Sequence, residues 1–162
     1  MTKHLTLVAK FLNLKQIVVV ATAMLAACAF NQQPYITYEN QAHPLSDTAV
    51  FMSFGTGSLV QITHVDGVKT DCAQVGCPVW VRVLPGEHTF KIEAKASTLD
   101  GQFIRTFTSQ FELKLSTMQP RHVYSLRRSP TGFEVDDRGE NPDVGITLGL
   151  KGVNQKEYKV QF

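Results

Sequence analysis

Cysteine, histidine and carboxylate side chains are the groups of this chain that could do chemistry, and their spacing sorts them. The cysteines stand at Cys28, Cys72 and Cys77. Four residues separate Cys72 from Cys77, whereas a redox-active pair is ordinarily spaced C-x-x-C. A zinc site would need two further ligands, and only the scattered His43, His64, His88 and His122 are at hand. His64 and Asp66 lie two apart near a strand end, a spacing that could serve acid–base or metal chemistry. Asp66 already has a role as the first residue of an Asp-Gly turn. The run Asp136-Asp137-Arg138-Gly139-Glu140-Asn141-Pro142-Asp143 is densely acidic, and carboxylates on a loop can hold calcium. It lacks the alternating order of an EF-hand and carries Arg138 inside it, so a polar connection between strands is the expectation. No serine sits in a G-x-S-x-G elbow. Without an activated nucleophile, no catalytic residue, metal or cofactor is expected, and the chain does not read as an enzyme. Trp80, the single tryptophan, is the possible ligand contact: exposed, it would stack on a ligand; buried, it would fill a core.

The elements that must position these residues are strands. Candidate runs are Val50–Phe54, Ser58–Val65, Pro78–Leu84, His88–Ala96, Phe103–Leu115, Arg121–Arg128, Phe133–Asp136, Val144–Leu150 and Glu157–Gln161. Phe90, Ile92 and Ala94 alternate with Lys91, Glu93 and Lys95. Phe103, Phe107, Phe111, Leu113 and Leu115 share a face opposite Thr106, Thr108, Gln110, Glu112 and Lys114. Period-two patterning with one apolar face marks half-buried antiparallel strands. Asp66-Gly67 and Asp100-Gly101 are expected to make tight hairpin turns, because both residues of such a pair tolerate positive φ. Pro85-Gly86 suits a type II turn, and Ser129-Pro130-Thr131-Gly132 is another turn. No stretch after residue 28 holds helical periodicity. The expected fold class is all-β, an antiparallel β-sandwich of about 7–9 short strands over residues 47–162.

The amino terminus carries an address. Lys3, Lys10 and Lys15 make a cationic leader, and Gln16 to Ala27 form a twelve-residue apolar segment. That is too short to span a bilayer but suits a signal-peptide core. Leu25-Ala26-Ala27-Cys28 at its end resembles the lipobox of bacterial lipoproteins. The resemblance implies a cleaved signal peptide over 1–27 and acylation of Cys28, which anchors the mature chain to a membrane. Two or three acyl chains, each adding about 0.8 kcal/mol per buried methylene, hold stably where one does not. Ala29, where an aspartate would favour retention in the inner membrane, points to the outer membrane. Residues 28–46, rich in Gln, Asn and Pro, then read as anchor and tether, with a reach of roughly 25 Å and a candidate short strand at Tyr35–Tyr38.

With the leader set aside, the charge changes sign. Three of the 16 basic side chains lie in residues 1–27 and none of the 14 acidic ones do, leaving 13 against 14. The basicity belongs to the export signal, so no nucleic-acid partner is expected. If Cys28 carries lipid, Cys72 and Cys77 remain as a pair in an oxidising compartment, where a disulfide is the default. A further resemblance spans Ile62 to Ala96: ITHVDGVKT followed by VWVRVLPGEHTFKIEA is similar to the PEGA-type module of bacterial envelope proteins, interrupted by Thr70–Cys77. The resemblance implies fold more than activity. The functional expectation is a lipid-anchored periplasmic or outer-membrane envelope lipoprotein with a non-catalytic binding or scaffolding role toward an envelope protein or glycan. Two alternatives accompany it. One is a lysozyme-type hydrolase inhibitor, although motifs of that group are missing. The other is a small outer-membrane β-barrel, suggested by Tyr158, Val160 and Phe162 on one face of the final strand.

Overall fold

In a computed structural model, residues 33–53, 59–72, 76–149 and 151–162 are described. Cys28 and the leader lie outside them. The described chain is almost entirely β. Its strands are β1 (Tyr35–Ile36), β2 (Ala49–Met52), β3 (Leu59–Val65), β4 (Val68–Lys69), β5 (Trp80–Val83), β6 (Gly86–Asp100) and β7 (Phe103–Met118). They continue with β8 (His122–Ser129), β9 (Gly132–Glu140), β10 (Gly145–Leu148) and β11 (Lys156–Lys159). Each strand expected from the sequence is found. The compact unit begins at Gln33, and β1 pairs with β5 inside a sheet, so from Gln33 onward the segment expected to be tether belongs to the domain.

The strands form a sandwich-like arrangement. One sheet has the order β1-β5-β2-β8-β9, a second has β4-β3-β6-β7, and β10 pairs with β11 as a ribbon. The principal core lies between the two larger sheets. Phe51, Val81, Val83, Tyr124 and Leu126 from the first meet Val60, Ile62, Phe90, Ile92 and Ala94 from the second. The Phe51 and Phe90 rings stack with centroids 4.3 Å apart, and Phe111 and Phe133 stack at 5.0 Å where β7 approaches β9. The pairing is mainly antiparallel, as expected. Two pairs are parallel, β1 with β5 and β2 with β8, because the chain crosses over between sheets before returning. The sheets stay open, so the strands do not close into a barrel among the described residues.

The five-stranded sheet is buried on both faces. Side chains at every position of β2 and β5 are buried, the reason β2 (AVFM) reads as an unbroken apolar run and β5 (WVRV) as one interrupted only by Arg82. On the outer face Val50, Met52, Trp80 and Val123 form a second core with Ile146, covered by Tyr158, Val160 and Phe162. The final strand's apolar face therefore turns inward onto protein. The expectation of Trp80 as a ligand contact is corrected here: its indole is 2% exposed and offers no face to a ligand.

Turn chemistry follows the sequence at Asp66-Gly67 and at Ser129–Gly132 and departs from it at two places. Pro85-Gly86, expected as a type II turn, instead carries the chain from β5 in one sheet to β6 in the other, with Gly86 (φ 134°) already in the strand. Asp66 (φ 51°) and Gly67 (φ 80°) make the expected hairpin turn between β3 and β4. At the tip of β6–β7, however, Asp100 pairs with Phe103, so Gly101 and Gln102 are the central residues. Gly101 alone takes positive φ, 61°, as a turn with glycine in first central position requires. Asp100 is thereby released to the ladder.

Cys72 and Cys77 form a disulfide with a Cα–Cα distance of 4.0 Å. The loop it closes is short, so the chain-entropy contribution is about 2 kcal/mol. Cys72→Ser with Cys77→Ser should lower stability by no more than about 2 kcal/mol. Urea unfolding of oxidised and doubly substituted protein measures this, and a loss well above that bound would show that the bridge organises more than its own loop.

Candidate functional site

Four exposed apolar side chains are gathered on a projecting hairpin. β6 and β7 pair continuously out to Asp100 and Phe103, but β3 accompanies β6 only as far as Lys95. Beyond that point Ala96–Asp100 and Phe103–Phe107 form a two-stranded arm with no third strand among the described residues. Residues directly opposite share a face. Leu99 and Ile104 oppose each other on one side, while Phe103 and Phe107 lie on the side that faces the core farther down the hairpin. The inward stripe of Phe90, Ile92 and Phe111 thus overshoots the sandwich. Leu99 is 73% exposed, Phe103 76%, Ile104 74% and Phe107 59%. Burying such a side chain is worth about 1.5–3 kcal/mol, and a lone two-stranded ribbon is marginal in water. A partner that covers the arm gains on both counts.

Polar contacts keep the arm ordered without hiding its apolar groups. Arg105 and Asp100 pair at 2.8 Å across the tip, and the Ser97 and Thr106 hydroxyls lie 3.1 Å apart. At the arm's base Lys95 pairs with Glu93 at 2.8 Å. The Lys95 ammonium, assisted by the Gln110 amide, holds the Glu93 carboxyl below its usual range. The arm itself carries one cation and one anion, already paired, so its recognition chemistry is apolar rather than electrostatic.

The residues singled out in the sequence are placed as follows. His64 and Asp66 do not meet: the His64 ring lies against Thr63. Asp66 instead faces the His88 Nδ1 at 2.7 Å and accepts the Thr89 N–H at 2.8 Å, which ties the β3–β4 turn to β6. His88 Nε2 donates to the Leu84 carbonyl at 2.7 Å. The acidic run is largely strand rather than loop, and its carboxylates are dispersed among separate partners. Asp136 pairs with Arg127, Asp137 with His122, Glu140 with Arg121 and Asp143 with Lys159. Asp136, with Glu134 beside it, raises the Arg127 guanidinium above its ordinary range. Among the described residues no three His, Cys, Asp or Glu side chains gather as metal ligands would.

Two features escaped the sequence reading. Arg82, in the buried strand β5, is 2% exposed and has no carboxylate partner among the described residues. Its Nη1 donates to Thr48 Oγ1 at 2.6 Å and its Nη2 to the Gln161 carbonyl at 2.7 Å, and the guanidinium lies 5.3 Å from the Phe162 ring. Burial pushes its pKa below the ordinary value, with Tyr38 opposing. Arg82 pins the final residues over the second core, a pairing no local pattern announces. The second feature is a cleft of about 180 Å³ between Tyr35, Tyr38, Val68 and Lys69. It is smaller than the roughly 300–1,000 Å³ of ordinary small-molecule pockets.

No family model, curated protein or solved structure matches this chain.

Proposed function

We propose that the protein is a lipid-anchored envelope lipoprotein of the periplasm, held at the outer membrane by acyl chains on Cys28, with a non-catalytic binding role. The single observation that carries the binding role is the projecting arm, whose Leu99, Phe103, Ile104 and Phe107 stand in water without cover from the described residues. Apolar groups concentrated on a protrusion are the mark of a contact surface rather than of a reaction centre. The anchoring half of the proposal draws on the cationic leader, the short apolar segment and Leu25-Ala26-Ala27-Cys28. It is helped by the Cys72–Cys77 bridge, which occupies the other cysteines. The Val65-Asp66-Gly67 turn between β3 and β4 keeps the likeness to the PEGA-type module within the same reading. The partner is an envelope protein or glycan with an apolar recess. An arm of this shape also fits the hydrolase-inhibitor reading, in which it would enter an enzyme's cleft.

A photo-crosslinking residue at Phe103, compared with one at Thr131 in the β8–β9 turn, tests the binding surface on the native lipoprotein in its own envelope. Phe103 should give discrete adducts, and Thr131 should give at least about tenfold less. Combining Leu99→Ser, Phe103→Ser, Ile104→Ser and Phe107→Ser should abolish capture by a crosslinker placed at Gln102 while leaving β-type circular dichroism intact. Equal adduct patterns from both sites would remove the arm as the binding surface, and inhibition of lysozyme by the wild-type protein alone would select the inhibitor reading.

A further inference from the structure

β7 is the end strand of its sheet, so one edge of this 16-residue strand presents unpaired backbone groups among the described residues. Natural edge strands are guarded by proline, bulges or several lysines, because an open edge templates pairing with another chain. Phe103–Met118 contains no proline, its register irregularity lies at the far end beside Gly86, and Lys114 is its one lysine. Its inner row Phe111, Leu113 and Leu115 is only partly buried. Among the described residues no strand pairs with this edge.

We propose that β7 pairs antiparallel with β7 of a second copy, about a two-fold axis through Leu113. Symmetry and charge select this register. A two-fold normal to the sheet must pass through a residue, since passing between two would set each inner side chain against an outer one. An axis at Glu112 would oppose Glu112 to itself, and an axis at Lys114 would oppose two ammonium groups; like charges directly opposite destabilise a sheet. An axis at Ser109 or Gln110 sets Arg105 against Leu113 or Leu115 in the inner row, and one at Phe111 sets Leu113 against Ser109. Through Leu113, each Glu112 faces the second copy's Lys114, twice over. On the inner face Phe111 then meets Leu115 twice, and Leu113 meets itself. Among these registers it alone has an opposite-charge row on the outer face and an unbroken apolar row on the inner one. Glu112 makes no ion pair of its own among the described residues, and Lys114 shares only an exposed contact with Glu87 at 2.9 Å, of the kind that contributes little and exchanges readily. The regular paired segment runs from Phe111 to Leu115, because the register shift between Leu115 and Met118 ends the even ladder, and the two arms project beyond the joint sheet in opposite directions.

Single cysteines at Ser109, Phe111 and Leu113 in the full-length protein, oxidised in its own envelope, read the register directly. Opposite Cα atoms in an antiparallel pair lie about 4.5–5.5 Å apart, within disulfide reach. Leu113→Cys should give a reducible dimer on non-reducing gels at least about tenfold stronger than Ser109→Cys or Phe111→Cys, which lie about 13 Å or more from their own copies. A peak at either of those positions, or equal bands at all three, would overturn the proposal. Sedimentation of the detergent-solubilised protein supplies the second measurement. Wild type should be dimeric, Glu112→Lys or Lys114→Glu alone should weaken association about tenfold by placing like charges opposite, and the two together should restore it. A monomeric wild type, or a double variant no better than the singles, would also overturn it.

Discussion

Trp80→Ala is expected to cost the domain about 3–5 kcal/mol, the range for removing a large aromatic from a packed core. The indole is 2% exposed and stands opposite Met52 in the β2–β5 register. It is enclosed by Val50, Val123 and Ile146, with Tyr158 and Phe162 packed around that cluster. Truncation to a methyl leaves a cavity that the sheet cannot close, since the backbone of β5 is held between β1 and β2. Domains of this size are stable by about 5–15 kcal/mol, so the loss takes a large part of the total. Urea unfolding followed by circular dichroism measures it, and Trp80→Phe should lose less than the alanine variant. An unchanged midpoint would mean that the second core contributes nothing and would return Trp80 to the role of a ligand platform.

Cys28→Ser should abolish fatty-acid incorporation altogether. A thiolate is the better acyl acceptor, and a hydroxyl at the same place is a much weaker nucleophile. The Cys72–Cys77 bridge removes the other sulfurs as acceptors. Metabolic labelling with a fatty acid should mark the wild type and leave the variant blank. Equal labelling of both would defeat the anchoring proposal without touching the fold. It would also leave the arm and the β7 edge as they are, because neither depends on where the chain is held.

Local patterns in the chain announce the local parts of the fold. Alternation at Phe90, Ile92 and Ala94 identifies a half-buried strand because the side-chain period is set by the backbone itself. Asp66-Gly67 announces its turn for the same reason. The face shared by Phe103, Phe107, Phe111, Leu113 and Leu115 is also as expected, yet only the last three reach the core. How far a strand outruns its neighbours depends on the length of the facing sheet, a quantity absent from the strand's own residues. The arm was therefore invisible as an arm. Trp80 illustrates the converse: strand alternation sets it on the face opposite Val81, but the layer that covers it comes from residues 144–162. Asp66 meets His88 rather than His64, because the turn folds back onto β6, and 22 residues of separation hide that contact from any spacing rule.

The parallel pairing of β2 with β8 has a kinetic meaning. Val50 aligns with Val123, which is 73 positions later in the chain, and Arg82 holds the Gln161 carbonyl across a separation of 79. The β6–β7 hairpin, closed by a two-residue loop, can form within microseconds. The five-stranded sheet has to wait for distant partners and for the loop-closure entropy that joining them costs, as in other folds dominated by non-local pairing, which take milliseconds to seconds. During that interval the hairpin exists with its inner phenylalanines uncovered, and the chain is at its most vulnerable to proteases and to its own neighbours.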